Sequence, residues 1–287
     1  MISSCPILEC LLLKLSFGFT SVRISSSNLK SIGLGASYYG NCINKPNLRL
    51  QELIIVNAPC LERLLFLSRY LEISVSVIAA PKLETLGCLS DKLHDSRLVF
   101  GTTTIQGFQV TKLTAVVNNI RILAVKLPRI NLDMVIDLLK CFPCLEKLYI
   151  KVTFLHWYLC CISGEMNWWH RKHRQFIECF DIHLKTIVLE GYQGIRSKIN
   201  FASFFLLNAS KLELMTLRVK KRDGNEVFFA EQCGVLQMEK RASRTARLHF
   251  TTESCYNDVH VNHLRDLVIT NPFECRCWHS KGSFGGK

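Results

Sequence analysis

Cys160, Cys161, His170, His173 and Cys179 are the closest this chain comes to a set of metal ligands, because thiolate and imidazole are the donors zinc prefers. Two features weigh against a zinc site. Adjacent cysteines cannot easily both reach one tetrahedral ion, and no paired Cys-x-x-Cys knuckles flank them. A hydrophobic linker with solvated histidines is the better reading. Cys275-x-Cys277 sits in a Gly-rich tail and is weaker still. Trp168-Trp169, followed by His170-Arg171-Lys172-His173-Arg174, could stack a nucleobase, but such a pair is more often a packing anchor with a charged rim, and that is the preferred reading. No P-loop, GxGxxG, GxSxG or HExxH pattern occurs, so no phosphate cradle, serine elbow or zincin helix is expected. Cysteine and histidine are common enough here that any nucleophile–base pairing would be chance. The sequence predicts no catalytic residue, no metal site and no cofactor.

The elements that carry these residues belong to a folded chain. Of 287 residues 48% are hydrophobic and 21% charged, ample for a core and unlike a disordered tail. The net charge of +13 is a real excess. A nucleic-acid surface would gather it on one face, whereas the basic residues spread along the chain, with short clusters at 170–174 and at Lys220-Lys221-Arg222. Fourteen cysteines, several inside apolar runs (Cys10, Cys88, Cys144), suit free thiols in a reducing compartment. The start, MISSCPILECLLLKLSF, lacks a positive n-region, and no apolar run reaches the ~18 residues of a spanning helix. The expectation is a cytoplasmic or nuclear protein with no membrane partner.

One phrase recurs: SCPILECLLL at Ser4, NAPCLERLLF at Asn57, AAPKLETLGC at Ala79 and CFPCLEKLYIK at Cys141. Its Leu-x-x-Leu-x-Leu frame is met by Leu8-Leu11-Leu13, Leu29-Ile32-Leu34, Leu50-Leu53-Ile55, Leu61-Leu64-Phe66, Leu83-Leu86-Cys88, Ile120-Leu123-Val125 and Leu145-Leu148-Ile150. Several starts are about 22 residues apart, within the leucine-rich-repeat range. A half-step near 11 residues between Leu50 and Leu83 suggests coils with an extended segment on both sides. In a strand, alternate residues face opposite ways, so Leu148 and Ile150 point inward while Lys147, Tyr149 and Lys151 point out. Pro6, Pro59, Pro81 and Pro143 suit the first residue of a strand. NLDMVIDLLKCF predicts a helix, with Leu132, Val135, Ile136 and Leu139 on one face and Asn131 or Asp133 as cap. These patterns predict an α/β leucine-rich-repeat solenoid with irregular coils over residues 1–153.

Residues 154–175 read as an irregular linker or insertion. Strand grammar resumes in HLKTIVLEGYQG, with Leu184, Ile187 and Leu189 inward. NFASFFLLNASKLELMTLRV then gives a helix capped by Asn200 and a strand around Leu214–Val219. Beyond Glu226 the pattern predicts a helix near Phe228–Gln237, strands around Ala246–Thr251 and His263–Thr270, and a flexible tail over 273–287.

The CPxLExLxL coils, LVFGTT at Leu98, the DMVIDLLKCFPCLEKLYIK block and LKTIVLEGYQG through NASKLELMTL together resemble the plant F-box proteins with leucine-rich repeats and a C-terminal FBD domain. The resemblance runs from Cys5 to about Cys277 and implies an FBD-like α/β region over 176–272. It implies a substrate-recognition role in an SCF-type ubiquitin-ligase adaptor, without enzymatic activity. Family members begin with an F-box that docks on a Skp-type adaptor, whereas this chain enters a repeat by Cys5. A truncated product is therefore expected, with a Skp partner only if an F-box lies upstream. A free-standing binder without ligase link is the alternative, and a basic nucleic-acid-associated protein the next.

If the repeats stack, their outward strand positions share one face, where such proteins bind partners. Arg63, Leu65, Lys147, Tyr149, Lys151, Thr186 and Glu190 are the candidates for contacting an unknown target protein. Tyrosine and arginine would be the energetic anchors.

Overall fold

The structure, a computed structural model, describes residues 6–14, 19–35, 50–68, 73–90, 96–107, 109–152, 181–221, 223–252, 259, 261, 263–269 and 271–274. The 154–175 linker, with its cysteines, histidines and Trp168-Trp169, lies outside them, as do Cys275 and Cys277. The chain forms two compact units. One comprises Met1–Val125, Ile136–Cys144 and Asn257–Arg276; the other comprises Lys126–Val135, Leu145–Tyr256 and Cys277–Lys287.

In the first unit the half-step in the repeat becomes an alternation between two sheets. Strands β1 (Cys10–Lys14), β3 (Ser31–Gly35), β5 (Arg63–Phe66) and β7 (Thr85–Ser90) are neighbours in one. Strands β2 (Ser21–Ser25), β4 (Glu52–Asn57), β6 (Ser74–Val77) and β8 (Arg97–Phe100) are neighbours in the other, extended antiparallel by β9 (Thr103–Gln106) and β10 (Gln109–Lys112). Successive strands of each series pair in parallel: β1 with β3, β3 with β5 and β5 with β7, and likewise β2 through β8. Leu50-Leu53-Ile55 therefore belongs to a different sheet from Leu61-Leu64-Phe66, although the sequence gives both the same signature.

The register explains the frame. Ile32, Leu64 and Leu86 stand in one row, and Leu53, Val75 and Leu98 in another; all are at most 5% exposed. One strand cannot hide such residues; a row of them hides each member, and each is worth roughly 1.5–3 kcal/mol when buried.

The first leucine of the frame lies outside the strand, where it closes a turn. The Leu61 N–H donates to the Ala58 carbonyl at 3.1 Å and the Leu83 N–H to Ala80 at 3.2 Å. Pro59 and Pro81 hold the second position of these turns, where a fixed φ near −65° is favourable. The prolines thus begin a turn about four residues ahead of each strand and do not start the strand, as the sequence had suggested. Beyond the turn, single carbonyls collect two donors each. Glu62 and Arg63 donate to Lys30, Glu84 and Thr85 to Glu62, and Arg121 and Ile122 to Glu84, at 2.8–3.1 Å. Arg121 and Ile122 lead into β11 (Ile122–Leu127).

Helix α1 (Leu132–Cys141) forms where its 3.6-residue pattern predicts it. The Asn131 side chain accepts from the Met134 N–H at 3.4 Å, so Asn131 is the cap. Val135, Ile136, Leu138 and Leu139 are buried. Phe142, just past the helix, meets Phe100 edge-on at 6.1 Å.

The second unit repeats the same devices. Strands β12 (Lys147–Val152), β13 (Thr186–Tyr192), β14 (Leu214–Val219) and β15 (Arg247–Thr251) pair in parallel in that order. Leu148, Ile187 and Met215 form one interior row, and Ile150, Leu189 and Leu217 the next. Lys185 and Thr186 donate to Glu146, and Glu213 and Leu214 to Lys185. Ala209-Ser210-Lys211-Leu212 closes the turn seen at Ala58 and Ala80, here without proline.

Helix α2 (Arg196–Asn208) begins earlier than its sequence suggests. Asn200 lies inside it as a buried residue whose Oδ1 has no hydrogen-bond partner, and the flanking Ile195 supplies no side-chain cap. The Lys198 ammonium instead ties the first turn to the β13 end, donating to the Gly191 carbonyl and, at 2.8 Å, to Gln193 Oε1. Phe201, Phe204 and Phe205 are buried, with ring pairs 5.0 Å apart. Helix α3 (Glu226–Val235) is capped by Asn225, whose side chain accepts from the Phe228 N–H at 2.8 Å. Buried Tyr192 donates to Gln232 of this helix at 2.6 Å, and burial pushes its phenol well above the usual range.

The expected strand at 263–270 is a 3₁₀ turn, Leu264–Val268. The His263 backbone N–H donates to Asp266 Oδ2 at 2.8 Å, and the His263 carbonyl accepts in return from the Asp266 N–H at 3.0 Å. Such local bonds give the backbone an alternative to ladder pairing. Among the described residues no helix is long and apolar enough to cross a membrane.

Candidate partner-binding faces

The alternation of a strand carries every second side chain away from the interior rows. In the second unit this places three parallel rows on one sheet face. Lys147, Thr186, Leu214 and Arg247 form the first; Tyr149, Val188, Thr216 and His249 the second; Lys151, Glu190, Arg218 and Thr251 the third. Five of the seven sequence-predicted contacts, Lys147, Tyr149, Lys151, Thr186 and Glu190, are brought together here on adjacent strands. The sequence reading did not include Arg218, Arg247 and His249, which the register sets beside them. The signal for Arg218 was the same frame at Leu212-Met215-Leu217, whereas at β15 only its last two positions, Leu248 and Phe250, remain to mark Arg247 and His249.

The third row is an ion ladder. Lys151 Nζ lies 2.9 Å from Glu190 Oε1, and Arg218 Nη1 lies 3.6 Å from Glu190 Oε2. All three side chains are less than one-fifth exposed, so water screens them less than it screens a surface pair. The middle row is closed: Tyr149, Val188 and Thr216 are buried. Arg247 and His249 are exposed at the β15 end. Four cations against one carboxylate make the face basic.

A second, more exposed set of pairs than the ladder lines the strand entries. Lys185 Nζ lies 3.0 Å from Glu146 Oε2, and Lys211 Nζ 2.8 Å from Asp181 Oδ2. The Lys211 ammonium, hydrogen-bonded to Asp181, holds that carboxyl below its usual range.

The first unit holds the other two predicted residues, Arg63 and Leu65, and they sit differently. Arg63 contacts Ser31 Oγ at 3.2 Å and Glu62 at 3.1 Å. Leu65 stands in a row with Gly33 and Gly87 and is fully buried. Part of what closes this face is visible: the 264–268 turn packs against β1 and β3. A methyl group at Gly33 would lie 2.9 Å from both Leu12 Cδ1 and Leu267 Cδ2, and 3.3 Å from Leu67 Cδ1. Leu267 is fully buried, seated over the glycine. The signal for this close approach was in the sequence as Ser31-Ile-Gly-Leu-Gly35, since glycine at alternate strand positions marks a place where another chain segment comes near.

Cys10, Cys60, Cys88, Cys141, Cys144 and Cys233 form no disulfide. Burial, with Glu9 adding to it, raises the Cys10 pKa, and burial pushes Cys141 up to about 11. Among the described residues no three His, Cys, Asp or Glu side chains group as metal ligands would. A cavity of about 20 Å³ lined by Phe66, Ile73, Leu89, Ser96 and Ile105 has room for one water and no ligand.

Two family models match parts of the chain. Residues 1–150 match the family described as "FBD-associated F-box protein At5g56370, LRR repeats", and residues 172–217, which carry β13, α2 and most of β14, match the FBD domain. No F-box match accompanies them. No curated protein and no solved structure matches the chain. Both families are generally non-catalytic interaction modules, which gives the chain a protein-interaction role. The repeat match covers more than half of the 287 residues, and the chain belongs to the leucine-rich-repeat family of FBD-associated F-box proteins.

Proposed function

We propose that the chain is a non-enzymatic recognition module that binds a target protein for an SCF-type ubiquitin ligase, and that its coils stack as a leucine-rich-repeat solenoid. The observation that carries this reading is the convergence of Lys147, Tyr149, Lys151, Thr186 and Glu190 on one sheet face, within a chain of F-box-associated family. A basic face whose Arg247 and His249 are exposed at the β15 end suits protein recognition. Six cysteines of the described residues stand outside any disulfide, which supports a cytoplasmic or nuclear setting. Docking to a Skp-type adaptor is the work of an F-box, so these residues supply target recognition and rely on an F-box for the ligase link. Without one, the same face serves a free-standing binder that competes with full-length relatives.

The test is crosslinking capture from plant cells with the full chain, quantified against a Lys147→Glu/Arg247→Glu variant. The expected result is a small set of proteins lost at least tenfold by the variant. Joining an F-box to the chain should then increase their ubiquitination. Direct binding of a purified Skp-type adaptor by this chain would overturn the division of labour. Binding to nucleic acid with a steep loss as salt rises would replace the reading with the nucleic-acid one.

A further inference from the structure

We propose that the glycine-floored socket on the outward face of β1, β3 and β5 is a docking site for a leucine carried on a short helical turn, and that the chain's own 263–269 segment fills it in cis. The inference deepens the recognition reading above and rests on it for the identity of the competitor. That competitor is a target segment of the same chemistry, which must displace the turn to reach the socket.

The geometry has three parts. Ile32 and Leu34 of β3 face the interior, so the Cβ position of Gly33 faces out, beside Leu12 on one neighbouring strand and Leu65 on the other. Leu12 and Leu67 wall the position, and the missing side chain of Gly33 leaves a gap that Leu267 occupies. The incoming segment is built to deliver that leucine. The reciprocal His263–Asp266 cap holds one turn of 3₁₀ helix, and within it Leu267 is buried while Leu264 and Val268 are 49% and 60% exposed. Within the turn Leu267 is the apolar side chain that enters the socket, while Ile269 is half-buried and the flanking Val261 and Phe273 are buried as anchors on either side. The segment is also joined to the sheet by more than 200 residues of sequence, and its seat is the row that contains Leu65, a residue predicted to face a partner.

The socket takes its ligand by shape and apolarity. A β-branched or aromatic residue would meet Leu12 and Leu67 at the gap's rim, whereas an unbranched Cβ lets the leucine methyls reach the glycine backbone.

The experiment uses the full chain and a fluorescent peptide of residues 261–274, VNHLRDLVITNPFE. The Leu267→Asp chain, whose own turn is expelled, should bind the peptide at least tenfold more tightly than the wild type, and adding Gly33→Val should abolish the gain. A Leu267→Asp peptide should bind neither. Equal affinity for wild type and variant, or a gain untouched by Gly33→Val, overturns the proposal. A second measurement needs no variant. Adding the peptide to the wild-type chain at millimolar concentration, on the order of the effective concentration of a tethered segment, should raise amide exchange across 264–269 while β3 stays protected. A scrambled peptide should not. Unchanged exchange at 264–269, or loss of protection in β3 along with it, shows the turn to be an integral part of the core. These outcomes are independent of target capture: the socket can fail while the Lys147–Arg247 face still recovers partners, and the reverse.

Discussion

The outward rows of the two units use one strand grammar for opposite chemistry. In the first, Leu12, Gly33, Leu65 and Gly87 make an apolar row with gaps where side chains are missing, and a turn from the far end of the chain closes part of it. In the second, Lys151 and Arg218 flank the Glu190 carboxylate in one row, Lys147 and Arg247 stand in another, and the pairing is electrostatic. The inward rows, by contrast, are interchangeable: Leu64 with Leu86, Ile187 with Met215. Burial between stacked strands constrains the inward positions to a few aliphatic shapes. The outward positions answer only to what covers them, so they diverge.

The interior rows should therefore respond alike in both units. Leu64→Ala and Leu189→Ala each remove a fully buried side chain, and each should cost about 2–5 kcal/mol, read as a drop in the denaturant midpoint. A loss below about 1 kcal/mol at either position would mean that its row is not close-packed, and the equivalence of the two units would break. If they unfold separately, two transitions will appear and each substitution will move only its own.

The outward rows should respond differently. Glu190→Gln leaves Lys151 and Arg218 facing one another in a partly water-excluded row, and a cost of about 1–2 kcal/mol is expected, shrinking as salt is raised. Lys211→Ala removes a pair whose members are about half exposed and should cost less than about 1 kcal/mol. Equal costs would show that the ladder is solvated like any surface pair.

This division also marks what the sequence made legible. The Leu-x-x-Leu-x-Leu frame, α1 and its Asn131 cap, and the strands from Leu184 onward were readable because burial imposes a period of two or 3.6. The assignment of Leu50-Leu53-Ile55 to a second sheet was visible only as a half-step, since both sheets impose the same period. The start of α2 was hidden because Ile195 offers no cap signal and Lys198 anchors the first turn through contacts with Gly191 and Gln193. The 264–268 turn was misread as a strand because Leu264, Val268 and Ile269 are individually strand-compatible, and only the His263–Asp266 pairing decides the matter. Leu65 was readable as outward-facing. Its burial was not, because the residues that close its row lie far along the chain.

Thiol chemistry offers a smaller effect that separates an interior cysteine from a surface one. Cys141 is fully buried and its pKa is raised to about 11, while Cys233 is exposed on α3. At pH 8 an alkylating reagent should label Cys233 at least tenfold faster than Cys141, because the thiolate is the reactive form. A folded pKa above the ordinary 9.0 means that the native state holds this proton more tightly than the unfolded chain does. Its contribution is fully present below pH 9 and is lost as pH rises from 9 toward 11. A Cys141→Ala chain should therefore lose less stability than the wild type across that window. Fast labelling of Cys141 in the native chain would show that the α1 end opens to solvent.

The smallest effect belongs to the strand entries, and it runs with the opposite sign of pH. Lys211 holds the Asp181 carboxyl below its ordinary 3.8. A lowered carboxylate pKa contributes stability above the unfolded value and loses it as pH falls through the folded one. Wild type should thus exceed Asp181→Asn in stability at pH 7 by less than about 1 kcal/mol, since both partners are about half exposed and screened. The difference should vanish below the depressed folded value, and 1 M salt should shrink it at neutral pH. Melting curves of the two chains from pH 7 to pH 2.5 measure it. A gap that persists at the acid end would assign the effect to lost hydrogen bonds, among them the 3.4 Å contact from Ser210, and would remove charge pairing from the account of how successive parallel strands are registered at their entries.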